Sequence, residues 1–335
     1  MRRIFLLLLA MSVFAHAKAS KPLQIYFVDV EGGQATLLVS PSGQSMLIDT
    51  GWPGFNGRDA NRIADAAKAA GVTHIDYVLI THYHRDHVGG APQLVARMPV
   101  RTFVDHGANE EDTEDVRPYY AAYQALLAKA KHLVVKPGDR IPVKGLDVVV
   151  LTAAGKHIAS ALPGAGQPNP LCANEPEAPA DPTENARSVG TLITFGKFRF
   201  LDLGDLTKQK ERELACPNNL VGTVDLYLTT HHGLDQSNLR ALVHALHPRV
   251  AIMNNGAHKG GKPEAWQVVH DSPGLADMWQ LHTALDAGAD HNVAEQFIAN
   301  PEEKCEGRWI QVTAQPDGSF TVMNARNAFS RTYGK

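Results

Sequence analysis

Cysteine is scarce in this chain: three residues in 335, Cys172, Cys216 and Cys305, with no CxxC pair among them. That excludes a cysteine-rich zinc knuckle, whose ligands come in such pairs. An exported chain can still join two cysteines. Cys172, in an irregular loop, and Cys216, between a helix and Pro217, form the expected staple, which leaves one thiol over. Long basic runs are also missing. The 32 Lys and Arg face 35 Asp and Glu, for a formal charge of −3, so the basic stripe of a nucleic-acid binder is absent and no stable nucleic-acid complex is expected. The four tryptophans, Trp52, Trp266, Trp279 and Trp309, are too scattered for a base-stacking platform, and Gly32-Gly33 lacks the following helix and GKS ending of a phosphate loop.

Only the beginning of the chain is apolar over a long stretch. Arg2 and Arg3 precede a run over residues 4–15 that ends in Ala15-His16-Ala17. The run is shorter than the roughly 20 residues of a membrane-spanning helix and ends in the small-x-small pattern of a cleavage site. It predicts an export signal over residues 1–17 and a periplasmic or secreted mature chain beginning near Lys18, with no integral membrane segment. Residues 18–335 then read as one domain, and losing Arg2 and Arg3 makes it more acidic still.

Within that domain, residues 23–30 and 35–39 read as a hairpin around Glu31-Gly32-Gly33, followed by a strand over 45–48 that ends at Asp49. Ile63, Ala66, Ala67 and Ala70 recur at helical spacing over 58–70, and Gly71 stops that helix. Strands over 77–80, 101–104, 133–135 and 146–151 alternate with helices near 93–97 and over 116–131. Residues 153–187, with prolines at 163, 168, 170, 176, 179 and 182, predict an inserted surface loop without helix or ladder. Strands over 189–195, 198–203, 226–229 and 250–253 and helices near 208–215, 238–246 and 264–269 follow. Antiparallel strands that give way to alternating strands and helices, twice over, predict an αβ/βα sandwich: two mixed sheets face to face with helices outside.

The stretch THYHRDHVGG, residues 81–90, places three histidines and an aspartate within six positions directly after an apolar strand. His82 and His84 are two apart, so in extended chain both imidazoles project to one side and can grip one cation. Asp86 and His87 follow after the strand has turned and can serve a second. A pair of cations can bring the pKa of a water between them towards about 7.

His82-x-His84-x-Asp86-His87 resembles the signature of the metallo-β-lactamase superfamily. Asp49 in LIDTG, Asp205 in LDLGDL and His231 in LYLTTHHG resemble that family's further motifs, in order. The patterns FVDVEGGQATLL, NARSVGTLITFGKFRFLDLGD and DLYLTTHHG are similar to the hydrolase domain of DNA-uptake competence membrane proteins. The likeness runs from Leu23 to about Val269. It implies a two-metal hydrolase, zinc being the expected ion and manganese the alternative, that acts on a phosphodiester or another small-molecule substrate. His82 and His84 would hold the first metal, and Asp86, His87 and His231 the second, with Asp205 bridging. Asp86 would also act in catalysis, His232 would act on substrate or leaving group, and Asp49 would orient a ligand histidine. By its residue type alone Asp205 also suits a helix N-cap.

Two departures from the family pattern stand out. The stretch Thr183-Glu184-Asn185-Ala186-Arg187-Ser188 has no histidine where many members supply a third ligand to the first metal. His106 and His157 are candidates to fill that gap, and Asn185 is a candidate contact to substrate or metal. Gly261-Lys262-Pro263 stands where the competence-like pattern has Gly-His-Pro, which replaces a proton carrier with the obligate donor Lys262. Hydrolysis of a lactone, β-lactam or thioester, or metal binding without turnover, are the competing expectations.

Overall fold

The structure, a computed structural model, describes residues 21–334; the export signal read over 1–17 lies outside the described residues. Two mixed sheets carry the chain. The first runs Ser330–Tyr333, Phe320–Asn324, Ile310–Ala314, Leu23–Phe27, Thr36–Val39, Ser45–Ile48, Ile75–Leu79, Val100–Asp105, Lys131–Val134. The second runs Ile298–Asn300, Asp277–His282, Val250–Met253, Leu226–Leu228, Phe198–Asp202, Gly190–Phe195, Asp147–Ala153, Arg140–Ile141, with Lys156–His157 paired to Asp147–Ala153.

Alternation along each strand builds the layers. In Leu23–Phe27, Ile25 and Phe27 point between the sheets and meet Phe200, Ile252 and Trp279 of the second sheet, while Tyr26 points outward. The Phe27 and Phe200 rings meet edge to face at 5.6 Å, a geometry favoured by the aromatic quadrupole. Outside the first sheet, helix Arg58–Ala69 buries Ala60, Ile63, Ala66 and Ala67 against Leu37 and Val78. Outside the second, helices Lys208–Ala215, Arg240–Leu246 and Pro263–His270 bury Leu214, Leu242 and Val269 against Leu201 and Tyr227. Helix, sheet, sheet, helix is the sandwich that the sequence predicts.

The structure departs from the sequence reading in three places. The helix expected over 116–131 is Arg117–Leu127, and Lys131–Val134 is instead an edge strand, exposed throughout and parallel to Val100–Asp105. The 153–187 loop is not free of structure. Ala154 and Gly155, both at positive φ, turn Lys156–His157 back onto the preceding strand, and Asn169 Oδ1 accepts the Leu171 N–H to open the short 3-10 helix Pro170–Asn174. Residues beyond 269 supply five strands that the motif-led reading leaves out. The Cys172–Cys216 disulfide is present as expected, and Cys305 is a free thiol.

Candidate metal centre

Strand ends from both sheets meet at one cluster. Ile75–Leu79 of the first sheet runs into Thr81 and His82, and Phe198–Asp202 of the second runs into Gly204 and Asp205. Val189, leading into Gly190–Phe195 of the second sheet, pins the first by donating to the Thr81 carbonyl at 2.9 Å, and on the second sheet's own side His231 donates to the Gly204 carbonyl at 2.9 Å. Gly204, at φ 57°, leaves no room for a side chain, since a Cβ there would lie 2.9 Å from Thr81 Cβ. His231 and His232 follow strand Leu226–Leu228 and both hold φ 56°, in the left-handed region. Two consecutive non-glycine residues there cost on the order of 1–3 kcal/mol each and recur at functional sites.

Asp86, His87, Asp205 and His232 are all buried, and one ligand atom from each lies within 4.8 Å of every other. His87 Nε2 is 3.1 Å from Asp205 Oδ2, 3.4 Å from Asp86 Oδ2 and 3.3 Å from His232 Nε2. His232 Nε2 is 3.3 Å from both Asp86 Oδ2 and Asp205 Oδ1. Beside them, His82 Nε2 lies 3.1 Å from His84 Nδ1 and 3.9 Å from Asp205 Oδ2, and His231 Nε2 is 3.3 Å from that same oxygen.

The flanking contacts fix the rings. Asp49, itself at φ 61°, places Oδ2 2.7 Å from His87 Nδ1 and accepts from the Thr81 backbone N–H and hydroxyl at 2.8 and 2.7 Å. Since the carboxylate can only accept, His87 carries a proton on Nδ1 and points Nε2 into the cluster. Ser237 Oγ lies 3.2 Å from His231 Nδ1, and Lys259 Nζ pairs with Asp86 Oδ2.

Burial penalises every charge here, and the neighbours decide the outcome. Burial pushes the Asp205 and Asp86 carboxyls up, but His231, His232 and His87 around the first, and Lys259 and His87 around the second, hold both well below the usual carboxylate range. Burial, then the neighbouring His87 and His84, keeps His82 well below the ordinary imidazole value, and burial takes His231 down to about 4. His87 differs: burial opposes its charge, but Asp205, Asp49 and Asp86 around it hold it well above the ordinary imidazole value, so a bound cation would take the place of its Nε2 proton. Asp205 Oδ1 and His232 Nδ1 are buried without a hydrogen-bond partner among the described residues. Buried polar atoms are rarely left so. Nitrogen lone pairs and carboxylate oxygens facing one another across about 3.3 Å fit a divalent cation.

Of the residues singled out in the sequence, the structure gathers His82, His84, Asp86, His87, Asp205, His231, His232 and Asp49. His232, expected to face substrate, sits among the four converging residues, and His231 faces Asp205 Oδ2 with Ser237 behind it. Neither candidate for the missing histidine reaches the cluster. His106 Nε2 is 2.9 Å from Glu184 Oε2 with its ring on Tyr83, and His157 is 3.0 Å from Glu213. Asn185 lies on the 3-10 helix Glu184–Arg187, its Oδ1 buried and unpartnered. Lys262 is tied by its backbone N–H to the Gly233 carbonyl at the start of Pro263–His270. Missed in the sequence were Glu111, whose Oε2 is 3.2 Å from His84 Nε2, Ser188, whose Oγ is 3.4 Å from His82 Nδ1, and Lys259 as partner of Asp86.

Known proteins share both the fold and parts of the sequence. The family model of the metallo-beta-lactamase superfamily matches residues 28–167. ComE operon protein 3 of Bacillus subtilis is 26% identical over 231 residues, covering 68% of this chain and 25% of that protein. Recombination protein 2 of Haemophilus influenzae is 24% identical over 298 residues, covering 88% of this chain and 31% of that protein. The chain thus spans between a quarter and a third of these relatives' length. Among solved structures, the metallo-beta-lactamase fold protein YhfI from Bacillus subtilis superposes with a TM-score of 0.50 at 12% identity, covering 78% of this chain and 96% of that one. With its two facing sheets and its HxHxDH turn, the chain has the metallo-beta-lactamase fold, and residues 28–167 match the model of that superfamily.

Proposed function

We propose that this chain is an exported metal-dependent hydrolase whose substrate is a phosphodiester. The observation that carries the reading is the buried convergence of Asp86, His87, Asp205 and His232 beside His82 and His84. A divalent ion held there, zinc or else manganese, would supply charge neutralisation and a water acidified towards neutral pH.

The chain's own residues do the rest. Asp49 fixes His87 through Nδ1, and Asp205 turns one oxygen to His232 and the other to His82, His87 and His231. Asp86, His87 and His232 would hold one ion, and His82 and His84 the other, with Asp205 between them. His231, which faces the same Asp205 oxygen as His82, stands in for the third histidine absent from 183–188. Its replacement by alanine is then expected to lower metal content while leaving the ion on His232 in place.

Hydrolysis of a small lactone, β-lactam or thioester is the second reading, and a specific feature favours it. A cleft of about 630 Å³ is lined by Asn185, Thr207 and Asp235, which lie within three residues of Ser188, Asp205 and His232; Glu175, Glu177 and Asp181 add negative charge to its wall, where Lys208 is paired with Glu264. Such a wall repels a long polyanion. A panel of model phosphodiesters, nitrocefin and lactones, run with and without chelator, decides the matter. Chelator-sensitive phosphodiester turnover supports the first reading, and ester or lactam turnover alone supports the second. Tight metal binding with no turnover on any of them leaves a metal-binding protein. Export is tested by the N-terminus of the protein recovered from periplasm or medium, expected near Lys18.

A further inference from the structure

We propose that Asp29, Glu31, His282 and Cys305 form a second cation site, apart from the Asp205 cluster, which takes a thiolate-accepting divalent ion such as zinc and clasps the two sheets together. Asp29 follows strand Leu23–Phe27 of the first sheet, His282 ends strand Asp277–His282 of the second, and Cys305 comes from the loop after Ile298–Asn300. One ligand atom from each of the four lies within 4.8 Å of every other. Asp29 Oδ1 is 2.8 Å from His282 Nε2, and Cys305 Sγ is 3.2 Å from Asp29 Oδ2, 3.5 Å from Glu31 Oε1 and 3.9 Å from His282 Nε2. Asp29 and His282 are fully buried. One thiol, one imidazole and two carboxylates are a donor set that suits four-coordinate zinc.

Two other readings of the cluster fit less well. A Cys-His-Asp catalytic relay places the thiol and the carboxylate on opposite ring nitrogens. Here both face Nε2, while Nδ1 of His282 is buried without a partner among the described residues. A closed salt-bridge network would need Arg62 at the centre. Its Nη1 lies 2.9 Å from Asp29 Oδ2 and 3.1 Å from Glu31 Oε1, and its Nη2 is 3.3 Å from Cys305 Sγ, so the guanidinium lies on the outer oxygens and leaves the Asp29 Oδ1 to His282 Nε2 side to other donors. Its side chain is partly exposed and its Nη1 also reaches the Asp29 carbonyl, so it has somewhere to go when an ion enters.

The thiolate is the ligand form of cysteine, so ion uptake must release the Cys305 thiol proton. The site also touches the metal centre indirectly. A Cβ on Gly32 would sit 2.8 Å from Lys259 Cβ, and Gly256 packs on the Glu31 carbonyl, so a fixed Glu31 steadies the loop whose Lys259 pairs with Asp86.

Because Cys172 and Cys216 are joined, Cys305 is the chain's single thiol, and the Asp205 cluster contains no sulfur. Sulfur-to-cobalt charge-transfer absorption in the near ultraviolet therefore reports on this site alone. The metal-free full chain is titrated with Co²⁺. The band is expected in the natural chain and in Asp205→Asn, and is expected to vanish in Cys305→Ser, which binds one ion fewer. A parallel measurement follows the rate at which a thiol reagent modifies Cys305, expected to slow markedly when Zn²⁺ is added. Absence of the band after the Asp205 cluster is saturated, or thiol reactivity indifferent to Zn²⁺, overturns the proposal whether or not the protein proves to be a hydrolase.

Discussion

The Asp205 cluster and the Asp29 cluster both join the two sheets, and both bury carboxylates, yet they balance charge by different means. Around Asp205 the carboxylates face imidazoles, with only Lys259 as a fixed cation, and polar atoms such as Asp205 Oδ1 go without a hydrogen bond. Around Asp29 a single imidazole and a thiol share the space with the Arg62 guanidinium, which reaches both carboxylates and the sulfur. The difference shows two solutions to one cost: an uncompensated buried charge is expensive. In the first cluster the arrangement keeps lone pairs turned inward, as an ion requires. In the second it satisfies most of them internally, so an ion there must compete with a resident cation and binds more weakly.

The largest expected effect separates the two clusters outright. Asp205→Asn removes the carboxylate that His82, His87, His231 and His232 all face; metal is expected to leave that cluster and hydrolysis to drop to the chelated level, measured by elemental analysis and the substrate panel, while the cobalt–thiolate band persists. Next comes Arg62→Ala, which takes one cationic partner from the buried Asp29 while His282 and the Glu31 N–H stay on it, and is expected to destabilise the fold by about 1.5–3 kcal/mol in denaturant unfolding. Added Zn²⁺ should recover part of that loss in Arg62→Ala and none in the Arg62→Ala, Cys305→Ser double variant. If the double variant recovers equally, the clusters do not differ as described.

A smaller loss is expected for Asp49→Asn, which keeps the shape but can turn an amide N–H towards His87 Nδ1. Metal affinity or turnover should fall about 10–100-fold, the usual cost of removing a ligand's orienting partner. The smallest effect tests a carboxyl outside both clusters. Burial raises Glu211 to about 7, although it accepts the Asn238 and Leu239 N–H groups at 3.0 and 2.6 Å. A folded value above the unfolded one means that its stabilising contribution is full below the ordinary carboxylate range and lost as pH rises through about 7. Glu211→Gln should flatten the fall in stability across that window, by on the order of 2 kcal/mol; an unchanged slope would falsify the assignment to this residue.

Much of the architecture is legible in the chain itself. Strand and helix periodicity place the elements from Leu23 to Val269, and the HxHxDH turn with Asp49 and Asp205 marks the cluster before any coordinates. Two things are not legible, for physical reasons. Strand or helix spacing cannot decide between His231 and His232, because both residues are left-handed and the choice rests on backbone dihedrals rather than on any period. Nor does the sequence reveal partners that tertiary structure alone brings together: Glu111 with His84, Lys259 with Asp86, or Asp29 with His282. The C-terminal strands are a different case. Ile310, Val312 and Ala314 alternate with more exposed neighbours as any half-buried strand does, but nothing local says that they join Leu23–Phe27.

That pairing bears on the order of synthesis. Leu23–Phe27 is an interior strand because Ile310–Ala314 completes one of its sides, so a ribosome must have made Ile310–Ala314 before this segment loses its bare edge. Until then a nascent chain presents an apolar ribbon open to adventitious pairing, and folding waits on a contact of very long sequence separation. Such a chain has reason to stay unfolded, or chaperone-bound, until Ile310–Ala314 emerges.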